Sequence, residues 1–279
     1  MKKLAVLLTA LLILICCTAS AEEIRIYAAK EDQALLEATG LSSVETTNRM
    51  EALNALSDAQ SGMALVTQLE LIQGLQGYSN GDVQSDFRLV QVLAQNDLYL
   101  VCSRETADTA GITGFSDMVS YLEDHPYELL ILRCFDAGNE DYASMLLFEQ
   151  LLIDSEMAVD NEEKAQMLGD GMYILVADTA KTLELAEQGY TVLGALTAER
   201  TAEFPDLACA GECGLPVISG TYYALVAFSA DQTEIAPDFS VDDTYLTENH
   251  LHAPDSEISM ETDIKNYVDY MTAEGLFFY

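Results

Sequence analysis

Basic residues are scarce in this 279-residue chain, which has 12 lysines and arginines against 47 aspartates and glutamates and a formal net charge of −35. Nucleic acids and anionic lipid surfaces are bound through clusters of Lys and Arg that displace counterions. The composition therefore argues against both as partners. A solvated acidic surface is the simpler interpretation of the excess charge, and a receptor for cations is the alternative.

Recognisable catalytic motifs are also absent: there is no G-x-S-x-G elbow, no phosphate-binding glycine loop and no H-E-x-x-H pair. Of the three histidines, His250 and His252 form an H-x-H flanked by Glu248 and Asp255. Alternate residues of an extended segment share a face, so this set is a candidate for a divalent metal, although a solvated loop explains the same residues. No nucleophile can be paired with a base, so we predict a protein that is not an enzyme and needs no cofactor.

Long apolar runs are confined to the amino terminus. Lys2 and Lys3 precede an apolar run over 4–17, and A-S-A at 19–21 offers the small residues that a signal peptidase reads. The run is shorter than the roughly 20 residues that a spanning helix needs. These features predict a cleaved signal peptide over residues 1–21 and an exported protein, periplasmic or otherwise extracytoplasmic. No later segment resembles a membrane span, so we expect no direct membrane insertion after cleavage.

Six cysteines are present, of which Cys16 and Cys17 lie in the predicted signal. Lipid attachment there is the less favoured alternative, because neither cysteine follows a small residue. The other four, in an exported protein, allow three disulfide pairings, and an isolated C-x-x-x-C is weak as a zinc site. Buried free thiols are the simpler interpretation, and a local bridge between Cys209 and Cys213 is the alternative. The four are Cys102, Cys134, Cys209 and Cys213.

Short β-rich runs alternate with longer helical runs along the rest of the chain, for example at 63–67 and 98–102 for strands and at 49–60 for a helix. This alternation predicts an α/β fold with mostly parallel sheets and flanking helices. We expect two lobes, residues 22–101 with 218–279 and an inserted lobe of residues 102–217. The two crossings between them would form a hinge. A single doubly wound domain is the alternative.

The stretch 200–216 is rich in residues that form turns or end helices and reads R-T-A-E-F-P-D-L-A-C-A-G-E-C-G-L-P. Its F-P-D is a turn, since proline presets φ and the aspartate can bond nearby backbone. A short helical turn over 209–213 is expected to end at Gly214 in the left-handed conformation, with Pro216 beyond it. We interpret the stretch as a connector between layers.

This stretch resembles the R…L-P-D-x-P-T…E-x-G-L-P run of the periplasmic solute-binding receptors of tripartite tricarboxylate transporters. Weaker matches follow in the family's order: S-G-M-A-L-V at 61–66, F-R-L-V at 87–90, L-Y-L-V at 98–101 and Q-M-L-G-D-G at 166–171. The resemblance covers roughly residues 60–228. It implies a type II, two-lobed periplasmic-binding-protein-like fold. It also implies that a small organic solute, expected to be a carboxylate, is captured between the lobes and passed to membrane permease subunits.

The resemblance also implies which residues contact the solute, and the chain departs from the family there. The loop after the first strand lacks the family's glycines, and of its second loop, at 135–141, only a single glycine remains. Three carboxylates in that second loop would repel a dicarboxylate at close range. The candidate ligand-binding residues are Ala28, Ala29, Lys30, Thr67, Phe135, Asp136, Gly138, Asn139 and Asp178.

These departures keep a second hypothesis open. A degenerate binding-protein scaffold could act through protein contacts, as a sensor or an envelope interaction module, with metal binding as a variant of that role. The scaffold prediction is therefore stronger than the prediction of its ligand.

Overall fold

The computed structural model of the protein describes residues 24–75, 87–134, 153–215, 217–218, 220–228 and 239–254, together with Ser144 and Leu147. The predicted signal peptide, with Cys16 and Cys17, lies outside these residues. Within the described part of the chain, no helix is long and apolar enough to cross a membrane.

Two five-stranded sheets form the framework, in the orders β2-β1-β3-β10-β4 and β7-β6-β8-β5-β9. The strands of the first are β1 (Ile26–Ala29), β2 (Val44–Thr46), β3 (Met63–Thr67), β4 (Phe87–Asn96) and β10 (Thr221–Phe228). Those of the second are β5 (Leu98–Cys102), β6 (Leu130–Cys134), β7 (Ser155–Ala158), β8 (Tyr173–Asp178) and β9 (Thr191–Ala195). Two separate sheets exclude the alternative of one doubly wound domain.

The sheets are mixed, where mostly parallel sheets were expected. β1 is parallel to β2 and β3, and β6 is parallel to β7 and β8, but β10 and β5 run antiparallel to both of their neighbours. β5 and β10 are the strands that enter each sheet directly from a crossing. The chain crosses between the sheets at the edge where β4 ends. β5 and β10 start at this edge, whereas the parallel strands end there, so β5 and β10 run antiparallel to them.

Helices flank both faces of each sheet, since alternate strand residues point to opposite sides. In the first sheet, α1 packs on the face that carries Leu65, and α2 packs on the face that carries Val66. The described helices are α1 (Gln33–Glu37), α2 (Arg49–Ala59), α3 (Gln68–Leu75), α4 (Arg104–Ala110), α5 (Phe115–Asp124), α6 (Asn161–Asp170), α7 (Thr179–Glu187), α8 (Ala210–Cys213) and α9 (Asp243–Glu248).

The crossings between the sheets lie against each other. The chain leaves β4 at Asn96 and enters β5 at Leu98, so the first crossing is at Asp97 and the predicted boundary at 101 falls inside β5. Gly220 precedes β10 at the return, where a Cβ would lie 1.6 Å from the Asn96 carbonyl oxygen. Only glycine allows the two crossings to approach this closely.

The stretch 200–216 is a connector, as its turn-forming and helix-ending residues predict. Cys209 occupies the N-cap position of α8, and Gly214 ends the helix with φ 66°. The guanidinium Nε of Arg200 donates to Glu212 at 2.9 and 3.0 Å, and its Nη1 donates to the carbonyl of Pro205 at 3.1 Å. The arginine, the F-P-D turn and the glutamate of E-x-G-L-P therefore meet in space, although Arg200 and Glu212 are 12 positions apart.

No disulfide forms among Cys102, Cys209 and Cys213, which are free thiols. The thiol of Cys209 donates to the carbonyl of Ala198 at 3.3 Å, in place of the local bridge to Cys213 considered above. Burial raises the pKa of Cys102 to about 12, so this thiol stays protonated and unreactive at neutral pH.

Candidate functional site

Polar residues gather where strands of both sheets end at the crossings. In the first sheet, β1, β3 and β4 end at the edge where β10 begins. In the second sheet, β6 and β8 end at the edge where β5 begins, with Leu98 opposite Asp178. Open α/β sheets bind their ligands at the carboxyl ends of strands, so these two edges define the candidate site.

Side chains hold the loop after β1, which contains no glycine. Ala28 and Ala29 belong to the strand and are fully buried, so the loop begins at the exposed Lys30. Nε2 of Gln33 donates to the carbonyls of Ala28 and Ala29 at 3.1 and 3.4 Å, and the Gln33 amide oxygen accepts from Ser43. The backbone carbonyls at the end of β1 are thereby satisfied within the lobe.

A buried ion pair fixes the same loop, and no local pattern in the sequence predicts it. Nε and Nη2 of Arg49 donate to the two carboxylate oxygens of Asp32, both at 2.7 Å, and Nη2 also lies 3.1 Å from Glu31. Cζ of Arg49 lies 5.5 Å from the centre of the Tyr223 ring. Burial acts to lower the pKa of Arg49, but its contacts with Asp32 outweigh burial and raise that pKa overall. The guanidinium is thus a permanent cation that anchors the turn to α2.

Thr67 lies at the end of β3, fully buried, where its backbone N–H and its hydroxyl both donate to Oε2 of Glu70, at 2.9 and 2.5 Å. The next residue, Gln68, links this turn to the second crossing. Its Nε2 donates to the carbonyl of Gly220 at 2.7 Å, and its Oε1 accepts from the backbone N–H of Tyr222 at 2.9 Å. No local pattern in the sequence indicates this role of Gln68, because its partners lie more than 150 positions away.

Asp178 ends β8 and is half-buried, and its Oδ1 accepts from the backbone N–H of Lys181 at 2.7 Å as the N-cap of α7. The following residue, Thr179, connects the two sheets. Its hydroxyl donates to Oδ1 of Asn96 at 2.9 Å. Asp178 therefore has a structural role as a cap, and its position at the strand end places it beside this contact between the sheets.

The predicted second loop lies outside the described residues: Phe135, Asp136, Gly138 and Asn139 follow Cys134, the last residue of β6. β6 pairs in parallel with β8, so its carboxyl end lies at the same edge as Asp178. The predicted residues that the described structure brings to the candidate site are Ala28, Ala29, Lys30 and Thr67 on the first sheet and Asp178 on the second.

The H-x-H motif lies at the first crossing. Gln95 and His252 form an antiparallel bridge with backbone hydrogen bonds of 2.9 and 3.0 Å, and Nε2 of His252 lies 3.0 Å from Oδ1 of Asp97. His250 has φ 54°, in the left-handed region, so the segment is not extended at this residue. Within the residues that the structure describes, no three side chains gather as a metal site.

Comparison with solved structures identifies the fold. A TctC solute-binding protein from Polaromonas, solved without ligand, superposes with a TM-score of 0.70 at 12% identity, covering 92% of this chain and 100% of that one. The protein Rpa4515 of R. palustris, solved with adipate, gives 0.60 at 16% identity, covering 92% and 98%. MatC from Rhodopseudomonas palustris, with bound malate, gives 0.56 at 15% identity, covering 90% and 99%. No protein-family model and no curated protein sequence matches the chain.

The chain thus has the type II, two-lobed α/β fold of periplasmic solute-binding proteins. More narrowly, it is the fold of TctC and BugD, which confirms the fold class that the stretch 200–216 and its companion motifs predicted.

Proposed function

We propose that this protein is an exported solute-binding protein, a divergent member of the tricarboxylate-transporter receptors. It captures a small organic solute between its two lobes and delivers it to membrane permease subunits. The observation that carries the proposal is the agreement of the whole two-sheet framework with the TctC protein, at a TM-score of 0.70 over 92% of this chain. We propose residues 22–101 with 218–279 as one lobe and residues 102–217 as the other, with the first crossing at Asp97, between the end of β4 and the start of β5.

A carboxylate is the proposed class of solute, since neighbours with the same fold were solved with adipate and malate. The first lobe contributes the loop that follows Ala28 and Ala29, with the ammonium of Lys30 at its start, and the turn at Thr67. The second contributes Asp178 and the loop with Phe135, Asp136, Gly138 and Asn139. Hinge closure then encloses the solute, and no covalent chemistry is involved.

A thermal-shift screen of the mature protein, followed by calorimetry, tests this proposal. The panel contains adipate, malate, citrate, amino acids and divalent cations. A bound solute at about 100 times its dissociation constant stabilises the native state by about 2.7 kcal/mol, which raises Tm by about 5–10 °C in a chain of this size. Lys30→Gln is expected to weaken carboxylate binding, whereas Lys181→Gln, which removes an exposed partner of Glu184, is the matched control.

The second candidate function is a scaffold that acts through protein contacts. The hydrogen bonds of Thr67 to Glu70, and those of Gln68 to the backbone of Gly220 and Tyr222, favour this second function. These polar groups at the candidate site already have partners within the protein and do not need a solute. If no carboxylate in the panel raises Tm, transport of a carboxylate is wrong and this second candidate takes its place.

A further inference from the structure

A third segment, residues 239–254, reaches the first crossing after running beside β4, an edge strand of the first sheet. The side-chain amide of Gln91 on β4 exchanges hydrogen bonds with the backbone of Phe239, at 2.7 and 3.0 Å. Four residues further along β4, Gln95 forms its backbone bridge with His252. The segment is therefore docked to β4 at two points, and its last contacts are at the crossing.

The ring of His252 faces a hydrogen-bond acceptor on each side. Nδ1 lies 2.9 Å from the carbonyl oxygen of Ala253, and Nε2 lies 3.0 Å from Oδ1 of Asp97. A carbonyl only accepts, and an ionised carboxylate only accepts, so both ring nitrogens must carry a proton to satisfy both contacts. The doubly protonated imidazolium is the form that fits this geometry, and the adjacent carboxylate favours it.

We propose that His252 is a protonation-dependent tie between the segment 239–254 and Asp97, which makes this segment a third component of the hinge. Asp97 is the residue that joins the two sheets and is itself buried, so a bond to its side chain restrains the crossing directly. The inference goes beyond the proposed function and does not depend on which solute is bound.

The sign of the pH dependence follows from the ring chemistry. An imidazole ordinarily loses its second proton near pH 6.5, and the neutral ring keeps only one N–H for two acceptors. Deprotonation therefore removes either the bond to Asp97 or the bond to Ala253, and it removes the positive charge of the ring in both cases. The tie is strongest at low pH and weakens as the pH rises.

Asp178 is a second acidic residue at this crossing, opposite Leu98, which follows Asp97. β4 presents the neutral Gln95, and His250 lies on the same segment. On the second sheet lies Tyr99, whose pKa burial raises, with Asp97 and Glu203 acting in the same direction. Tyr99 therefore remains neutral over the pH range in which an imidazole titrates.

Hydrogen exchange of the solute-free mature protein between pH 5.5 and 8.5, corrected for intrinsic exchange rates, tests the tie. We expect protection of the Gln95 and His252 amides to fall about tenfold as the pH rises, because a charge-assisted hydrogen bond is lost. His252→Gln keeps a donor toward Asp97 without a titrating ring, so the step should vanish while the fold is retained. His250→Asn is the matched control, since asparagine tolerates positive φ, and it should leave the step unchanged.

The chain has three histidines, so the step must be assigned to one of them. A step that persists in His252→Gln, or that disappears in His250→Asn or His125→Asn, overturns the proposal. A nitrogen NMR titration of the unmodified protein gives an independent check, since the His252 ring and the Gln95 amide should titrate with one midpoint. Two different midpoints would also overturn it, even if every variant failed to fold. Because no solute is added, the outcome is separate from that of the thermal-shift screen.

Discussion

The ion pair between Asp32 and Arg49 fixes the conformation of the turn after β1. Lys30, Glu31 and Asp32 form a tight 3-10 turn directly after β1. Asp32 is 4% exposed and Arg49 is 20% exposed at the side chain, so the pair is largely shielded from water. Its bidentate geometry fixes the direction in which the chain leaves β1, and with it the position of Lys30.

We predict that Arg49→Met destabilises the protein by about 2–4 kcal/mol, because it leaves the Asp32 carboxylate buried and without its partner. Arg104→Met is the control, since Arg104 and Asp108 are highly exposed and 3.8 Å apart, and it should cost about 0.5 kcal/mol or less. Urea unfolding of the three proteins measures both values. Equal effects of the two substitutions would show that the Asp32–Arg49 pair is not an anchor.

At the scale of elements, the close contact between the two crossings determines where the sheets can lie. The Asn96 carbonyl occupies the space that a side chain at position 220 would need, and Gln68 binds the backbone on both sides of Thr221. This contact couples the turn after β3 to the start of β10. The turn after β3 and the start of β10 are therefore held together at the crossings.

Gly220→Ala is predicted to destabilise the protein by about 2–3 kcal/mol, because the new Cβ overlaps backbone that can only shift as a whole. Gly169→Ala, on an open surface of α6, is the control and should be neutral or stabilising by up to about 1 kcal/mol. Thermal unfolding of both variants gives the comparison. If Gly220→Ala unfolds at the same temperature as the unmodified protein, the crossings are not in tight contact.

Much of the element pattern was predictable, because it depends on local sequence. The strands at 63–67 and 98–102 have the expected bounds, and the helix expected over 49–60 spans Arg49–Ala59. The helix ends at Gln60, which has φ 54°, and Gly62 follows it. A glycine is needed at 62 because a Cβ there would lie 2.5 Å from the carbonyl oxygen of Arg25. The local sequence does not show whether a glycine after a helix ends that helix or allows such a close approach.

The candidate site was less predictable, because its contacts join residues far apart in the chain. Gln68 binds Gly220 across 152 positions, and His252 meets Asp97 across 155. The H-x-H motif suggested a metal, since spacing alone does not reveal that a carboxylate from a crossing faces one of its rings. The resemblance of short motifs to the receptor family predicted the fold correctly, because these motifs mark turns and connectors that the fold requires.

At the scale of the whole molecule, the dominant property is an excess of negative charge. With 47 acidic residues against 12 basic ones, most carboxylates have no cation to pair with, so the folded state carries net self-repulsion. The described ion pairs at Lys181 and Arg200 are exposed and contribute little to stability. Added salt should therefore stabilise the folded state by screening the repulsion more than it destabilises that state by weakening the exposed ion pairs.

We predict that raising NaCl from about 10 mM to about 0.5 M increases Tm by a few degrees, because the Debye length falls from about 30 Å to only a few ångströms. KCl at the same ionic strength should give the same curve if screening is the cause. A divalent cation that stabilises the protein at micromolar concentration, with the effect reversed by a chelator, would instead support the cation-receptor interpretation of the acidic surface. A fall in Tm with added salt would contradict the prediction, since it would mean that attractive pairs outweigh repulsion in the folded state.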